Sequence, residues 1–182
     1  MHACKNSPMI ETILFIAGSI FILWISIPSL RQPGSHGFYR FFAWEIILGL
    51  FLLNIRGWFV HPFAWYQVIS WILLIASLIP LISGVTSLRR AGKPTDALEA
   101  TTQLVQSGIY RTIRHPLYAS LLFLAWGIFF KSPALLDGCL AAVATAFLFA
   151  TARADEVECL VKFGNQYAEY MKKTKRFIPF VF

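Results

Sequence analysis

Charge is what this sequence has least of. Only 14% of its 182 residues are charged and 57% are hydrophobic, whereas a soluble domain carries about 25% charged residues. This composition excludes a disordered chain, and one core of this size could not hide so much apolar surface from water. The sequence therefore predicts an integral membrane protein whose apolar surface faces lipid.

Signatures of metal and nucleotide binding are also absent from the sequence. No G-x-G-x-x-G run occurs, and no pair of cysteines or histidines has the spacing of a metal site. These residues are Cys4, Cys139, Cys159, His2, His36, His61 and His115. We expect free thiols and no bound metal. The net charge of +7 does not indicate a nucleic-acid partner, because no soluble basic module is present.

Apolar stretches occupy residues 10–30, 38–60, 63–88, 116–130 and 133–154. A helix needs about 20 residues to cross a hydrocarbon core of ~30 Å, so the fourth stretch is too short alone. It is expected to pair with the fifth across a tight turn at residues 131–133. The predicted fold is all-α: a polytopic membrane protein with about five transmembrane helices, ending in a helical hairpin and a cytoplasmic C-terminal helix. Residues 1–182 are expected to form a single domain.

The distribution of positive charge predicts the orientation of the chain. With the N-terminus outside and the C-terminus in the cytoplasm, 13 of the 16 Lys and Arg residues lie on the inner face, in agreement with the positive-inside rule. The three outer ones are Lys5, Arg56 and Lys131. We expect a bacterial inner membrane from the compact length, and an endoplasmic reticulum membrane would fit the same topology.

Two polar segments lie on the predicted inner face, at residues 89–116 and 153–182. Pro116 suits the first turn of a helix, where its missing N–H costs nothing, and this places His115 at the N-cap. The fifth helix delivers Asp155 and Glu156 to the same face. A helix N-terminus and two carboxylates suit a zwitterion with an extra cationic centre, such as S-adenosylmethionine. The alternative is a set of interfacial anchors and solvated acids.

Glu45 lies inside the second span, where a carboxylate is a candidate functional group. Arg40 is close in sequence, so a snorkelling pair at the interface is the other interpretation. Both interpretations stay open on the sequence alone.

The tail is expected to continue the fifth helix as an amphipathic helix. Val157, Leu160, Val161 and Gly164 recur at helical spacing, and Pro179 marks the end of the helix or a turn beyond it. We expect His115 and Glu156 to lie at the membrane interface, where substitution costs little stability.

A set of motifs in the polar segments points to a known group of enzymes. The motifs are Leu104-Val105-x4-Tyr110-x3-Arg114-His115-Pro116-x-Tyr118, Asp155-Glu156 and Phe163-Gly164-x2-Tyr167-x2-Tyr170. Residues 86–182 resemble the superfamily of isoprenylcysteine carboxyl methyltransferases and phospholipid methyltransferases. The resemblance implies a membrane methyltransferase that binds S-adenosylmethionine within residues 89–182. The cofactor-binding residues that it implies are Leu104, Val105, Tyr110, His115, Pro116, Leu117, Tyr118, Asp155 and Glu156.

Three positions depart from the superfamily's pattern, and the third of them concerns the methyl acceptor. Thr102 stands where the prenylcysteine enzymes place a His, and Asp155 is one methylene shorter than the usual Glu. Those enzymes hold the substrate carboxylate with an Arg four residues before the acidic pair, and here that position is Thr151. We therefore expect a small or lipid-like acceptor that presents an amine, thiol or hydroxyl. The catalytic residue is left open, and the candidates are Arg114, Arg153 and Glu156.

Two other classes of function stay open on the sequence alone. Sterol reductases are similar to this superfamily in their last spans, so an NADPH-dependent membrane reductase is one alternative. A non-catalytic membrane scaffold is the other. The sequence does not indicate an oligomeric state.

Overall fold

The computed structural model describes residues 8–92 and 102–179, and every element longer than a single bridge in these ranges is helical. The predicted all-α fold is therefore confirmed. Cys4, Lys5 and Lys93 lie outside the described residues. Within the described ranges, extended backbone pairs only at an isolated parallel bridge between Ile113 and Lys175.

The helices are α1 Pro8–Leu30, α2 His36–Asn54, α3 Trp65–Ser87, α4 Pro116–Phe129, α5 Leu135–Phe163 and α6 Asn165–Lys173. Four of them, α1, α2, α3 and α5, are long and apolar enough to cross a membrane, and α4 is apolar but shorter. The predicted hairpin of a short fourth helix and a long fifth helix is present. The first turn of α2 is capped by Ser35, whose Oγ accepts a hydrogen bond from the backbone N–H of Phe38 at 3.2 Å.

Small residues lie where the spans cross. α2 packs against α1 and α5, and α3 packs against α4. The buried alanines of these crossings are Ala43, Ala119, Ala125, Ala141, Ala144 and Ala152. A Cβ added at Gly127 would lie 2.9 Å from a side-chain carbon of Leu74, and the Ser70 hydroxyl donates to the Gly127 carbonyl at 2.6 Å. Close backbone approach and interhelical hydrogen bonds hold helices together in lipid.

The turn of the α4–α5 hairpin encloses a lysine. Lys131 is 1% exposed, and its Nζ lies 3.4 Å from the ring centroid of Trp71 and 5.1 Å from that of Trp58. The same Nζ donates to the side-chain oxygen of Gln67 at 3.2 Å. The faces of the two indole rings stabilise a desolvated ammonium group. Lys131 is therefore a buried packing residue and not a solvated surface charge.

Glu45 is hydrogen-bonded inside the membrane. It is the tenth residue of the 19-residue α2, which places it near the middle of the span. The hydroxyl of Ser19 on α1 donates to Glu45 Oε2 at 2.7 Å, while the guanidinium of Arg40 lies over the Trp44 ring at 4.8 Å. The hydrogen bond joins α2 to α1, and both interpretations of Glu45 stay predictions.

The end of the fifth helix differs from the expected single amphipathic helix. α5 ends at Phe163, and Gly164 adopts a φ of 56° before α6 begins. A positive φ suits glycine and stops an α-helix, so α6 is a separate helix and Pro179 lies in a turn well beyond it. Val157 and Val161 are exposed rather than packed on the core. Helical spacing detected the helix but not the glycine that divides it.

Candidate functional site at the N-terminus of α4

The segment before α4 is paired with the C-terminal tail. His115 is the N-cap of α4 and Pro116 is its first residue, as predicted. The backbone N–H groups of Arg114 and His115 donate to the carbonyls of Lys175 and Arg176 at 2.8 and 3.1 Å, and the N–H of Lys175 donates to Thr112 at 3.0 Å. These bonds satisfy backbone groups that a loop would otherwise leave open. The tail therefore fixes the position of His115.

A cavity of about 80 Å³ opens beside this segment, on the face that the sequence predicts to be the inner one, and we refer to it as the inner-face cavity. It is lined by Leu88, Leu104, Val105, Tyr110, Arg114, His115, Pro116, Leu117, Tyr118, Asp155, Cys159, Phe163, Tyr167 and Tyr170. The structure thus brings together all the residues that the resemblance implied for the cofactor except Glu156, which does not line the cavity.

His115 lies between the two acids of α5. Its Nδ1 is 3.3 Å from Asp155 Oδ2 and its Nε2 is 3.4 Å from Glu156 Oε1, and its ring stacks on Tyr118 with centroids 5.5 Å apart. Burial alone would lower the pKa of His115, but the hydrogen bonds and negative charges of Asp155 and Glu156 outweigh it. The pKa of His115 is therefore raised above its ordinary value, which favours the imidazolium form.

Glu156 is held by two arginines. Its Oε1 accepts from Nε of Arg114 at 2.9 Å, and its Oε2 accepts from Nη2 of Arg176 at 2.6 Å. The hydrogen bond to Glu156 raises the pKa of Arg176. His115 and Glu156 are each 5% exposed, and burial of an ion pair argues against the expectation that substitution here costs little stability. That both lie at the depth of the membrane interface stays a prediction. The aromatic and tail residues around them remove them from water.

The remaining predicted residues lie away from the cavity. Thr151 is fully buried, and its hydroxyl donates to the Phe147 carbonyl of its own helix at 2.7 Å. Arg153 and Thr102 are exposed and do not line the inner-face cavity. Of the three candidates for a catalytic residue, only Arg114 faces the cavity.

Several lining residues were not among the predicted site residues. These are Leu88, Cys159, Phe163, Tyr167 and Tyr170. Cys159 and Phe163 follow Asp155 at successive intervals of four, which places all three on one face of α5. The hydroxyl of Tyr170 donates to the Tyr110 carbonyl at 2.7 Å and fastens α6 over the cavity. The spacing was readable from the sequence, but the turn at Gly164 that folds α6 back was not.

A second depression, the apolar groove, adjoins the inner-face cavity. Its volume is about 320 Å³. It is lined by Leu73, Ala119, Leu122, Phe123, Trp126, Phe130, Thr145, Phe177 and Ile178. The hydroxyl of Thr145 already bonds the Ala141 carbonyl and the indole N–H of Trp126, so the groove offers hydrocarbon contact. The ring of Phe177 lies 6.1 Å from that of His115 and separates the two spaces.

The part of the chain that the structure describes contains no cluster of three or more His, Cys, Asp or Glu side chains suited to a metal ion. The charged groups that face His115 are instead Asp155 and Glu156 from α5, Arg114 from its own segment and Arg176 from the tail. The site therefore offers carboxylates, guanidinium groups and aromatic faces.

Comparison with known families identifies one match. The profile of a family described as phospholipid methyltransferase matches residues 65–166, more than half of the chain. The match extends from the start of α3 through the α4–α5 hairpin into α6 and includes most of the inner-face cavity. No curated protein matches the chain at a significant level.

Proposed function

Because this chain belongs to the phospholipid methyltransferase family and is thus a membrane methyltransferase, we propose that S-adenosylmethionine is its methyl donor and binds in the inner-face cavity. The observation that carries this proposal is the convergence of His115, Tyr118 and Asp155 on one cavity at the N-terminus of α4. A few convergent polar groups in a largely apolar cavity are typical of a cofactor site.

The donor set fits the charges of this cofactor. The N-terminus of α4 suits its carboxylate, while Asp155 and the faces of Tyr118 and Tyr167 suit its ammonium and sulfonium groups. S-adenosylmethionine supplies an electrophilic methyl group when it is bound. The protein's part is to orient the two reactants and to exclude water, which the buried aromatic wall of the cavity can do.

The acceptor that we propose is lipid-like and presents an amine, thiol or hydroxyl. A carboxylate would require a charged, bidentate partner, but Thr151 bonds its own helix and Arg153 does not line the cavity. The apolar groove supports a hydrocarbon part. Its wall follows α4 from Ala119 to Phe130, about 16 Å at ~1.5 Å per residue, which is half of a ~30 Å hydrocarbon core.

The orientation that we propose places the inner-face cavity in the cytoplasm, where S-adenosylmethionine is available, and the N-terminus outside. The support is the excess of Lys and Arg on that face. The acceptor would then enter the apolar groove from the inner leaflet.

The proposal is tested with purified protein in lipid nanodiscs. We expect saturable binding of radiolabelled S-adenosylmethionine and methylation of long-chain amines, thiols or phenols in preference to a farnesylcysteine analogue. Methyl ester formation as the fastest reaction, lost in Arg153→Ala but not in Thr151→Ala, would show that the acceptor class is wrong. Binding of a nicotinamide dinucleotide in place of S-adenosylmethionine would show that the cofactor is wrong.

A matched pair of variants tests the groove. Leu122→Trp places a large ring in the apolar groove, and Leu136→Trp makes the same change on an exposed face of α5. We expect Leu122→Trp to raise KM for a long-chain acceptor at least tenfold with an unchanged Kd for S-adenosylmethionine. The Leu136→Trp variant should match the wild type. Equal KM values in the two variants would show that the acceptor lies elsewhere.

A further inference from the structure

We propose that the two adjacent acids of α5 have different tasks: Asp155 faces the cofactor, while Glu156 is a positioning residue that fastens the tail to the segment before α4. The identity of the ligand in this inference rests on the proposed function. The difference between the tasks of Asp155 and Glu156 rests on the geometry. Neighbouring residues on a helix point about 100° apart, so one carboxylate can line the cavity while the other faces the bundle behind it.

The oxygens of Glu156 are already engaged by the protein. Arg114 and Arg176 make three hydrogen bonds with them, at 2.9, 3.1 and 2.6 Å, and the Glu156 side chain is 6% exposed. A carboxylate in this state has its lone pairs directed at two guanidinium groups. A ligand in the inner-face cavity would have to displace one of them to reach it.

The two arginines belong to the two paired segments beside the site, which are the segment before α4 and the C-terminal tail. Arg114 also donates from Nη1 to the carbonyls of Met171, at 3.1 Å, and Thr174, which are carbonyls at the open end of α6. Arg176 belongs to the tail, and the next residue is Phe177, the wall between the cavity and the apolar groove. Glu156 therefore sets the position of α6, of the tail and of this wall together.

Asp155 is situated differently. Its side chain is 26% exposed and lines the inner-face cavity, and its protein contacts are His115 at 3.3 Å and the thiol of Cys159 at 3.7 Å. Neither contact is a guanidinium. Asp155 thus keeps accessible lone pairs for the cationic groups of a ligand.

A double-mutant cycle on the whole protein in nanodiscs separates positioning from contact. The single variants are Glu156→Gln, Arg176→Met and Asp155→Asn. The double variants are Glu156→Gln with Arg176→Met, and Asp155→Asn with each of these two. The readout is the Kd for radiolabelled S-adenosylmethionine, measured well below the melting temperature of each variant. The control is Glu169→Gln, which removes an acid from an exposed pair on α6.

We expect Glu156→Gln and Arg176→Met to raise the Kd about tenfold to hundredfold each, and the combination to be no worse than the weaker-binding single variant. The fold increase in Kd caused by Asp155→Asn should multiply with that of Glu156→Gln or of Arg176→Met in the double variants, because the effects are independent. Arg176→Lys should restore most of the affinity that is lost in Arg176→Met. Independent effects of Glu156→Gln and Arg176→Met would indicate that Glu156 touches the cofactor and would overturn the proposal. A wild-type Kd in Glu156→Gln would overturn it as well.

A second measurement does not depend on the cofactor. Trypsin cleaves after Lys172 and Lys173, next to the tail, and we expect Glu156→Gln and Arg176→Met to speed this cleavage about tenfold while Asp155→Asn does not. If Glu156→Gln does not fold, the cleavage rates of Arg176→Met and Arg176→Lys are compared instead. If the wild type does not bind S-adenosylmethionine, the proposed cofactor is wrong, and the cleavage rates alone decide whether Glu156 holds the tail. Equal rates in Glu156→Gln and Asp155→Asn would refute the division.

Discussion

Replacing one buried acid and one exposed acid of α5 by glutamine gives a direct test of how this fold is held together. Glu156 is paired with Arg114 and Arg176, whose side chains are 9% and 23% exposed. Glu158 is paired with His36 at 2.6 Å, and both side chains are substantially exposed, at 44% and 24%. Glu158 also accepts a hydrogen bond from the backbone N–H of His36 at 2.8 Å. The chemical change is identical and both positions lie on the same helix, but their partners and their burial differ.

The structure sets the expected magnitudes. Removing one partner of a buried ion pair costs about 3–5 kcal/mol, because the other charge is left without compensation. Glutamine can still accept a hydrogen bond from Arg114, so we expect the lower end, about 3 kcal/mol. At about 2–4 °C per kcal/mol for a chain of this length, Glu156→Gln should lower the melting temperature by about 6–12 °C. An exposed pair contributes at most about 1 kcal/mol, so Glu158→Gln should lower it by about 4 °C or less.

Thermal unfolding in nanodiscs, followed by circular dichroism and tryptophan fluorescence, measures both shifts. The experiment needs no cofactor and no acceptor, so it tests the geometry of the Glu156 pairs alone. A shift for Glu158→Gln as large as that for Glu156→Gln would refute the reasoning from burial.

Two further predictions concern pH and orientation. Because the pKa of His115 is raised above its ordinary value of 6.5, the charged imidazole stabilises the fold fully below pH 6.5, and this contribution is lost as the pH rises through the higher folded pKa. The melting temperature should therefore fall on the alkaline side in the wild type and less in His115→Gln; parallel curves would contradict this. In sealed cells, a membrane-impermeant thiol reagent should label Cys4 in preference to Cys159, and the reverse preference would invert the proposed topology.

Hydropathy alone predicted most of the fold. Uncharged stretches of sufficient length are enough for the long spans, and the position of Pro116 was enough to predict the N-cap at His115, because both signals are local. Lys131 shows the limit of this reasoning. A lysine in a turn between spans suggests a solvated charge, and only the packing of Trp58 and Trp71 from other elements makes it a buried residue.

Most residues of the candidate site were predictable from the sequence, but which of the two acids of α5 faces the cavity was not. The motifs named the lining residues because their order along the chain is distinctive. Whether Asp155 or Glu156 faces the cavity depends on the rotation of α5 and on a tail that returns after Gly164. Arg176 is 20 residues from Glu156, and a contact at that separation across a turn leaves no periodic signal.

The 14 residues of α4 also bear on which membranes this protein can occupy. The helix is about 21 Å long at ~1.5 Å per residue, about 9 Å short of a ~30 Å hydrocarbon core. At least one end of α4 therefore falls short of the lipid headgroups. Each ångström of such mismatch costs a fraction of a kcal/mol, so the bilayer beside the hairpin should thin or its lipids tilt. A thin membrane of short-chain lipids would match the length of this hairpin more closely. A thick, sterol-rich membrane would increase the mismatch at α4, the helix that lines the apolar groove.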